Sequence, residues 1–239
     1  MQSLRIALDA PSPRAATPPS PVRVLGGFAI WFGLLWTFWE TPAFTPVKIF
    51  VVLLHELSHA LAAVLTGGTV RHITLDAMQG GATVTTGGSA FVILSSGYLG
   101  SLLLGGLLLV AGMVLRKGLR PALGGVALVV LGATVFLIRS AFGFAYGLTA
   151  GLVLLAVARW LPAWVSRAVL IGLGLTSCLY AILDIKSDVF DRPGAPSDAY
   201  MLAEMTGVPT LVWGVLWAVL AFAFAAVLLR WAYRRAARG

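Results

Sequence analysis

The chain has 239 residues, of which 59% are hydrophobic and only 11% charged, with a mean hydropathy of +0.93. A soluble globular domain is nearer half apolar and about one quarter charged, so that class is excluded and an all-α polytopic membrane protein takes its place. The net charge of +8, from 17 Lys+Arg against 9 Asp+Glu, is no nucleic-acid footprint, because the basic residues sit at the ends of apolar runs: Arg116, Lys117 and Arg120; Arg159 and Arg167; Arg230, Arg234, Arg235 and Arg238. There they anchor and orient helices in a lipid bilayer.

In chain order, residues 1–21 hold five prolines and no apolar stretch, which reads as a flexible tail. The first long apolar segment comes too late for a cleaved signal peptide. Seven apolar segments follow, at about 22–39, 45–66, 89–115, 121–138, 142–160, 164–185 and 208–231. Runs of this length cross a bilayer as helices, and they lack the alternation of a membrane barrel. The second segment has Thr45-Pro46 as cap and first-turn proline, and Gly67-Gly68 as its stop. Between the second and third segments, β-branched residues alternate about Gly80-Gly81, which predicts a small β-hairpin near 69–86. Gly97, Gly100, Ser101, Gly105 and Gly106 give the third segment a small-residue face for close packing, with the second segment as the expected neighbour. Cys178 is alone, so no internal disulfide forms. Residues 186–207 are acidic, and Ser197 or Asp198 caps a short helix ending near Gly207.

The expected organisation is a tail at 1–21, one integral membrane domain at 22–231 and a basic tail at 232–239, multi-pass in the cell membrane. Seven crossings put the basic termini on opposite sides. Six crossings, with one segment re-entrant or the fourth and fifth divided differently, put both on the cytosolic side.

His55-Glu56-Leu57-Ser58-His59 lies inside the second segment and holds two of the chain's three histidines. On a helix, positions i and i+4 share a face, so both imidazoles reach one ion. Zn2+ suits imidazole ligands and an open position for water, and Glu56 stands ready to accept a proton. Ionisable groups in a membrane helix are costly, and a metal gives three of them in five residues a reason. A catalytic zinc usually has a third protein ligand. The candidates are His72, Asp76, Asp184, Asp188 and Asp198. Asp184, deepest in an apolar run, has the strongest claim. Asp188, one turn on and on the same face, is the alternative, as ligand or as a group orienting His55 or His59. Asp198, in Ser197-Asp198-Ala199, reads as a cap more than as a ligand.

Three stretches carry a resemblance: His55–Ala60; the Gly-rich region leading to Ser96-Gly97-Tyr98-Leu99-Gly100; and Tyr180, Asp184-Ile185, Asp188 with Ser197-Asp198-Ala199. Over about 45–207 the chain resembles the site-2 protease family of intramembrane zinc metalloproteases, in a short divergent branch. The family's Asn-Pro…Leu-Asp-Gly pattern is absent, since Ile185 follows Leu183-Asp184, and there is no PDZ-sized insertion. The resemblance implies His55, His59 and Asp184 as zinc ligands, Glu56 as general base and a membrane protein as substrate. A membrane helix must unwind before its carbonyls can be attacked. The hairpin, with Gly80, Gly81 and Thr83 as the binding residues, is expected either to take the substrate as an added strand or to be a plain connector.

An ion or metal transporter would spread its charges over several helices and show repeats. Here they cluster at 55–59 and 184–198. A serine protease would need a histidine on another segment, and none follows His72. A metal-binding but inactive membrane scaffold would carry the same motif.

Overall fold

A computed structural model describes residues 21–38, 41–191, 194 and 196–238. Its described elements are helices α1 (Pro21–Phe38), α2 (Thr45–Leu65), α3 (Ala90–Val114), α4 (Leu119–Phe136), α5 (Ala141–Trp160), α6 (Ala163–Ile185), α7 (Asp198–Thr206) and α8 (Thr210–Arg238), with strands β1 (Thr69–Leu75) and β2 (Gly81–Thr86). The class is all-α and polytopic with one small hairpin, and each of the seven apolar segments is a helix. Six helical spans, beginning with Pro42–Leu65 and ending with Thr210–Arg235, are long and apolar enough to cross a membrane. In α1 the apolar stretch is shorter, Leu25–Leu35. The expected tail at 1–21 lies outside the described residues except for Pro21, which opens α1. The basic residues expected as a C-terminal tail continue α8 to Arg238.

The six spans run in alternating directions along the chain, so the last ends at the end of the bundle where the first began. Pro42 and Arg235 therefore share a face, and Arg116, Lys117, Arg120, Arg159 and Arg167 lie at that same end of their helices. The hairpin, the α4–α5 turn and α7 lie at the other end.

Local signals explain the ends of α2. A 3-10 turn at Pro42–Phe44 leads in, and Phe44 takes the cap position. Thr45 is already helical, with φ −50° and ψ −45°, so the cap expected at Thr45 sits one residue earlier and uses no side chain. At the other end Gly67 has φ 83°, and the Gly67 and Gly68 amides donate to the Val64 and Ala63 carbonyls at 3.1 and 2.8 Å. This is a Schellman closure, for which glycine is the natural residue.

The hairpin pairs Thr69 with Thr86 and Leu75 with Gly81, with a bulge between Val70 and His72. Asp76 closes its turn: Oδ1 accepts the Met78 and Gly80 amides at 2.7 and 3.0 Å. The outer edge of β1 is covered, because Ile73 exchanges main-chain bonds of 2.9 Å with Leu137 and Arg139 in the α4–α5 turn. Ser140 joins in, its hydroxyl contacting both the amide and the carbonyl of Leu75 at 2.9 and 2.8 Å. The outer edge of β2 has no strand beside it among the described residues.

The small residues of α3 serve three neighbours rather than one. Gly97 and Gly100 face α2, where an added Cβ would strike His55 and Ser58. Gly105 faces α6, 2.6 Å from Ser177 Cβ for an added Cβ. Near that crossing Ser177 Oγ donates to the Ser101 carbonyl at 2.8 Å. Gly106 faces Phe224 of α8. Small side chains let backbones approach without clash, which is how helices pack where lipid supplies no hydrophobic drive between them. The expected packing of this face on α2 thus holds for its first turns only.

Candidate metal centre

The site forms where α2, α3, α7 and β2 meet. His55, Glu56 and His59 follow one another around the last turns of α2, and Glu56 and His59 are buried at 4% and 6% exposure. His59 is oriented by its back nitrogen: Nδ1 lies 2.7 Å from the Ile93 carbonyl, an acceptor, so Nδ1 carries a proton there and Nε2 is turned toward Asp198. Ser96 donates to that same carbonyl at 2.6 Å. The His55 ring stands edge-on to His59 and to Tyr98, with centroids 4.7 and 4.9 Å apart.

The third group is Asp198. Its Oδ2 lies 3.1 Å from His55 Nε2 and 3.3 Å from His59 Nε2. The ligand atoms of the three residues lie within 4.8 Å of one another, and they are the only such group among the described residues. Asp198 opens α7, but Ser197 does the capping, accepting the Tyr200 amide at 3.2 Å. Asp198 is thereby free to turn inward, where it is 7% exposed. Burial works to raise its carboxyl pKa, but the two imidazoles beside it more than offset this and hold it below the usual carboxylate range. It is therefore ionised, as a ligand must be. Oδ2 is buried with no hydrogen-bond partner beyond the two imidazole Nε2 atoms, an arrangement that a cation would complete. Two imidazole nitrogens and one carboxylate oxygen, converging within 4.8 Å of one another, are a donor set that fits zinc. Gly97 makes the room, since an added Cβ there would run into Asp198 Oδ2 and His55 Nε2.

The Peptidase M50B-like family model matches residues 28–228. The chain belongs to this family. No curated protein and no solved structure matches it. M50B-like proteins are metallopeptidases of the site-2 protease family, and with six membrane-length apolar helices this member is an integral, multi-pass membrane protein.

Glu56 in this M50B-like chain is held by the hairpin. Thr83 Oγ1 lies 2.7 Å from Glu56 Oε2 and 3.0 Å from the Glu56 carbonyl, donating its one proton to either. Gly81 lies flat against the same carboxylate, for an added Cβ would come within 2.5 Å of Oε1. Of the three hairpin residues expected to bind substrate, Gly81 and Thr83 therefore sit at the site. Gly80 instead closes the turn on Asp76.

The remaining expected residues are placed differently. Asp184, expected as third ligand, is partly buried in the last turn of α6 and is not in the converging group. The physical reason is that the chain passes through a π-helical turn at Lys186–Asp191 and returns as α7, so the carboxylate brought to the histidines comes from the returning helix. Asp188 lies in that turn and accepts the Tyr98 hydroxyl at 2.8 Å. His72 sits in β1 opposite Val84, and Asp76 in the hairpin turn. Depth in an apolar run favoured Asp184, while the carboxylate found beside the two histidines is that of Asp198. The usable signal was the Ser197-Asp198 pair, in which one residue caps and leaves its neighbour for other work.

Proposed function

We propose that this chain is a zinc-dependent intramembrane endopeptidase that hydrolyses peptide bonds of membrane-embedded or membrane-associated proteins. Family membership supplies the reaction class. The observation that carries the assignment to this chain is the convergence of His55, His59 and Asp198 next to a carboxylate held by its own hydrogen bond. In this reading those three residues hold the ion, with Asp198 in the place first given to Asp184. Zinc, when bound, supplies Lewis acidity at the scissile carbonyl and acidifies water at the site.

Glu56 is the general base. With Oε2 engaged by Thr83, Oε1 is the oxygen left to take the proton from the attacking water, and the same carboxyl then delivers it to the departing amine. The unpaired edge of β2 presents main-chain groups beside Glu56. A substrate laid along it as a third strand gives up its helical hydrogen bonds and exposes its carbonyls. Gly81 lets that backbone approach, and Gly80 contributes through the turn it closes. An inactive scaffold has no need of a hydroxyl trained on Glu56.

The test measures zinc content and cleavage of a single-helix membrane substrate for the purified full chain and its variants. Glu56→Gln is expected to keep zinc and lose cleavage by about a hundredfold or more. Asp198→Asn is expected to lose zinc while Asp184→Asn keeps it. A wild-type chain without zinc overturns the proposal, and zinc lost only from Asp184→Asn overturns the ligand set.

A further inference from the structure

His59 and His55 are oriented by different means. A metal-bound histidine is usually fixed through its second ring nitrogen, and His59 is, by the Ile93 carbonyl. Among the described residues no hydrogen bond fixes Nδ1 of His55. What the ring meets instead is Tyr98, edge-on at 4.9 Å and 82°. Tyr98 is itself held on two sides. Its ring lies against Trp217 at 5.1 Å, and its hydroxyl donates to Asp188 Oδ2 at 2.8 Å. At 2% exposure it has no solvent to turn into. It also follows Gly97 directly on α3, so the backbone that opens space for the ion also aims the Tyr98 ring.

We infer that Tyr98 and Asp188 are a positioning pair for His55: the carboxylate anchors the phenol, and the phenol ring fixes the plane of the imidazole. The inference rests on the metallopeptidase reading. It gives Asp188 a definite task, and it ties the π-helical turn after α6 to the ligand helix α2 through one side chain. An aromatic edge against an imidazole restricts ring rotation while adding no competing donor at the metal, which suits a ligand whose Nε2 must face the ion.

The test uses the full-length chain in detergent, titrated with Co2+ and read by its visible ligand-field absorption, with zinc competition giving the affinity. Tyr98→Phe keeps the ring and removes the anchor. It is expected to weaken binding about tenfold and to shift the absorption band. Asp188→Ala should do the same, and the double variant should lose no more than either single change, because both break one link. Tyr98→Leu removes the ring as well and should approach a hundredfold loss. Tyr146→Phe, which removes another hydroxyl bonded to a main-chain carbonyl (that of Pro46), controls for a general effect and should leave affinity and spectrum unchanged. Wild-type affinity and spectrum in Tyr98→Phe overturns the inference. So does loss of the ion from Asp188→Ala with Tyr98→Phe intact, which would make Asp188 a ligand. If the wild type binds neither Co2+ nor zinc, the metallopeptidase reading fails as well, so the two failures are distinct.

Discussion

Two unlike regions hold the same cluster. α2 is a 21-residue helix most of whose residues are buried, and it delivers His55, Glu56 and His59 from consecutive turns of one rigid rod. α7 has nine residues, begins at a serine cap and ends at Gly207, whose φ is 73°. It reaches the site only because Ala199 and Leu202, both fully buried, seat it against Tyr98 and Trp217. The first region sets ligand spacing by helical geometry alone. The second sets ligand position by tertiary packing. Damage should therefore act differently on the two: changes near α2 should act on the ion or the base directly, and changes in α7 should act through the stability of a short element.

The largest effect is expected where the two regions nearly touch. Gly97→Ala places a methyl group in clash with both Asp198 Oδ2 and His55 Nε2, so these two side chains must move off their present positions. Zinc affinity should fall by about a hundredfold or more. Helix content should be kept, since alanine favours the helix more than glycine does. Zinc competition beside circular dichroism checks this. Unchanged affinity would mean that α7 is not seated where the ion needs it.

A smaller effect is expected on the α2 side, at the hydroxyl that holds the base. Thr83→Val keeps the β-branched shape of the strand but removes the donor to Glu56 Oε2. Zinc binding should stay at the wild-type value while kcat falls about tenfold, because the carboxylate is misdirected and no ligand is lost. Thr83→Ser should restore most of the rate. A parallel loss of zinc would show that the hairpin supports the ligands as well as the base.

Legibility in the sequence followed the same division. The pair His55 and His59 could be read because i and i+4 repeat on any helix, and seven helices could be read because apolar length is itself the membrane signal. The hairpin and the α7 cap were legible for similar local reasons: paired glycines, a serine, a terminal glycine. Asp198 as the partner of two histidines was not. Nothing within a few residues of it records that the chain turns back after α6, and burial in an apolar run is a property of Asp184 that carries no information about α7. Tyr98 was visible as part of a motif, but its place between His55 and Asp188 depends on three elements distant in sequence.

The smallest effect separates the two regions most cleanly. Ser197→Ala removes the hydroxyl that accepts the Tyr200 amide and touches no ligand atom. Loss of such a cap costs about 1 kcal/mol of local helix stability, which corresponds to about a fivefold change in the ratio of ordered to disordered α7. Zinc affinity should weaken by up to about that factor, since only the ordered helix offers Asp198 to the histidines, and Ser197→Asn should restore it because asparagine caps as well as serine. The matching change at the start of the other region, Thr45→Ala, should do nothing to the ion. α2 begins at Phe44 without any side-chain cap, and burial holds it in place. If Ser197→Ala and Thr45→Ala both leave zinc untouched, α7 is as rigid as α2 and the distinction between them fails. If Ser197→Ala alone weakens binding and asparagine recovers it, the third ligand depends on the folding of nine residues, which the two histidines never do.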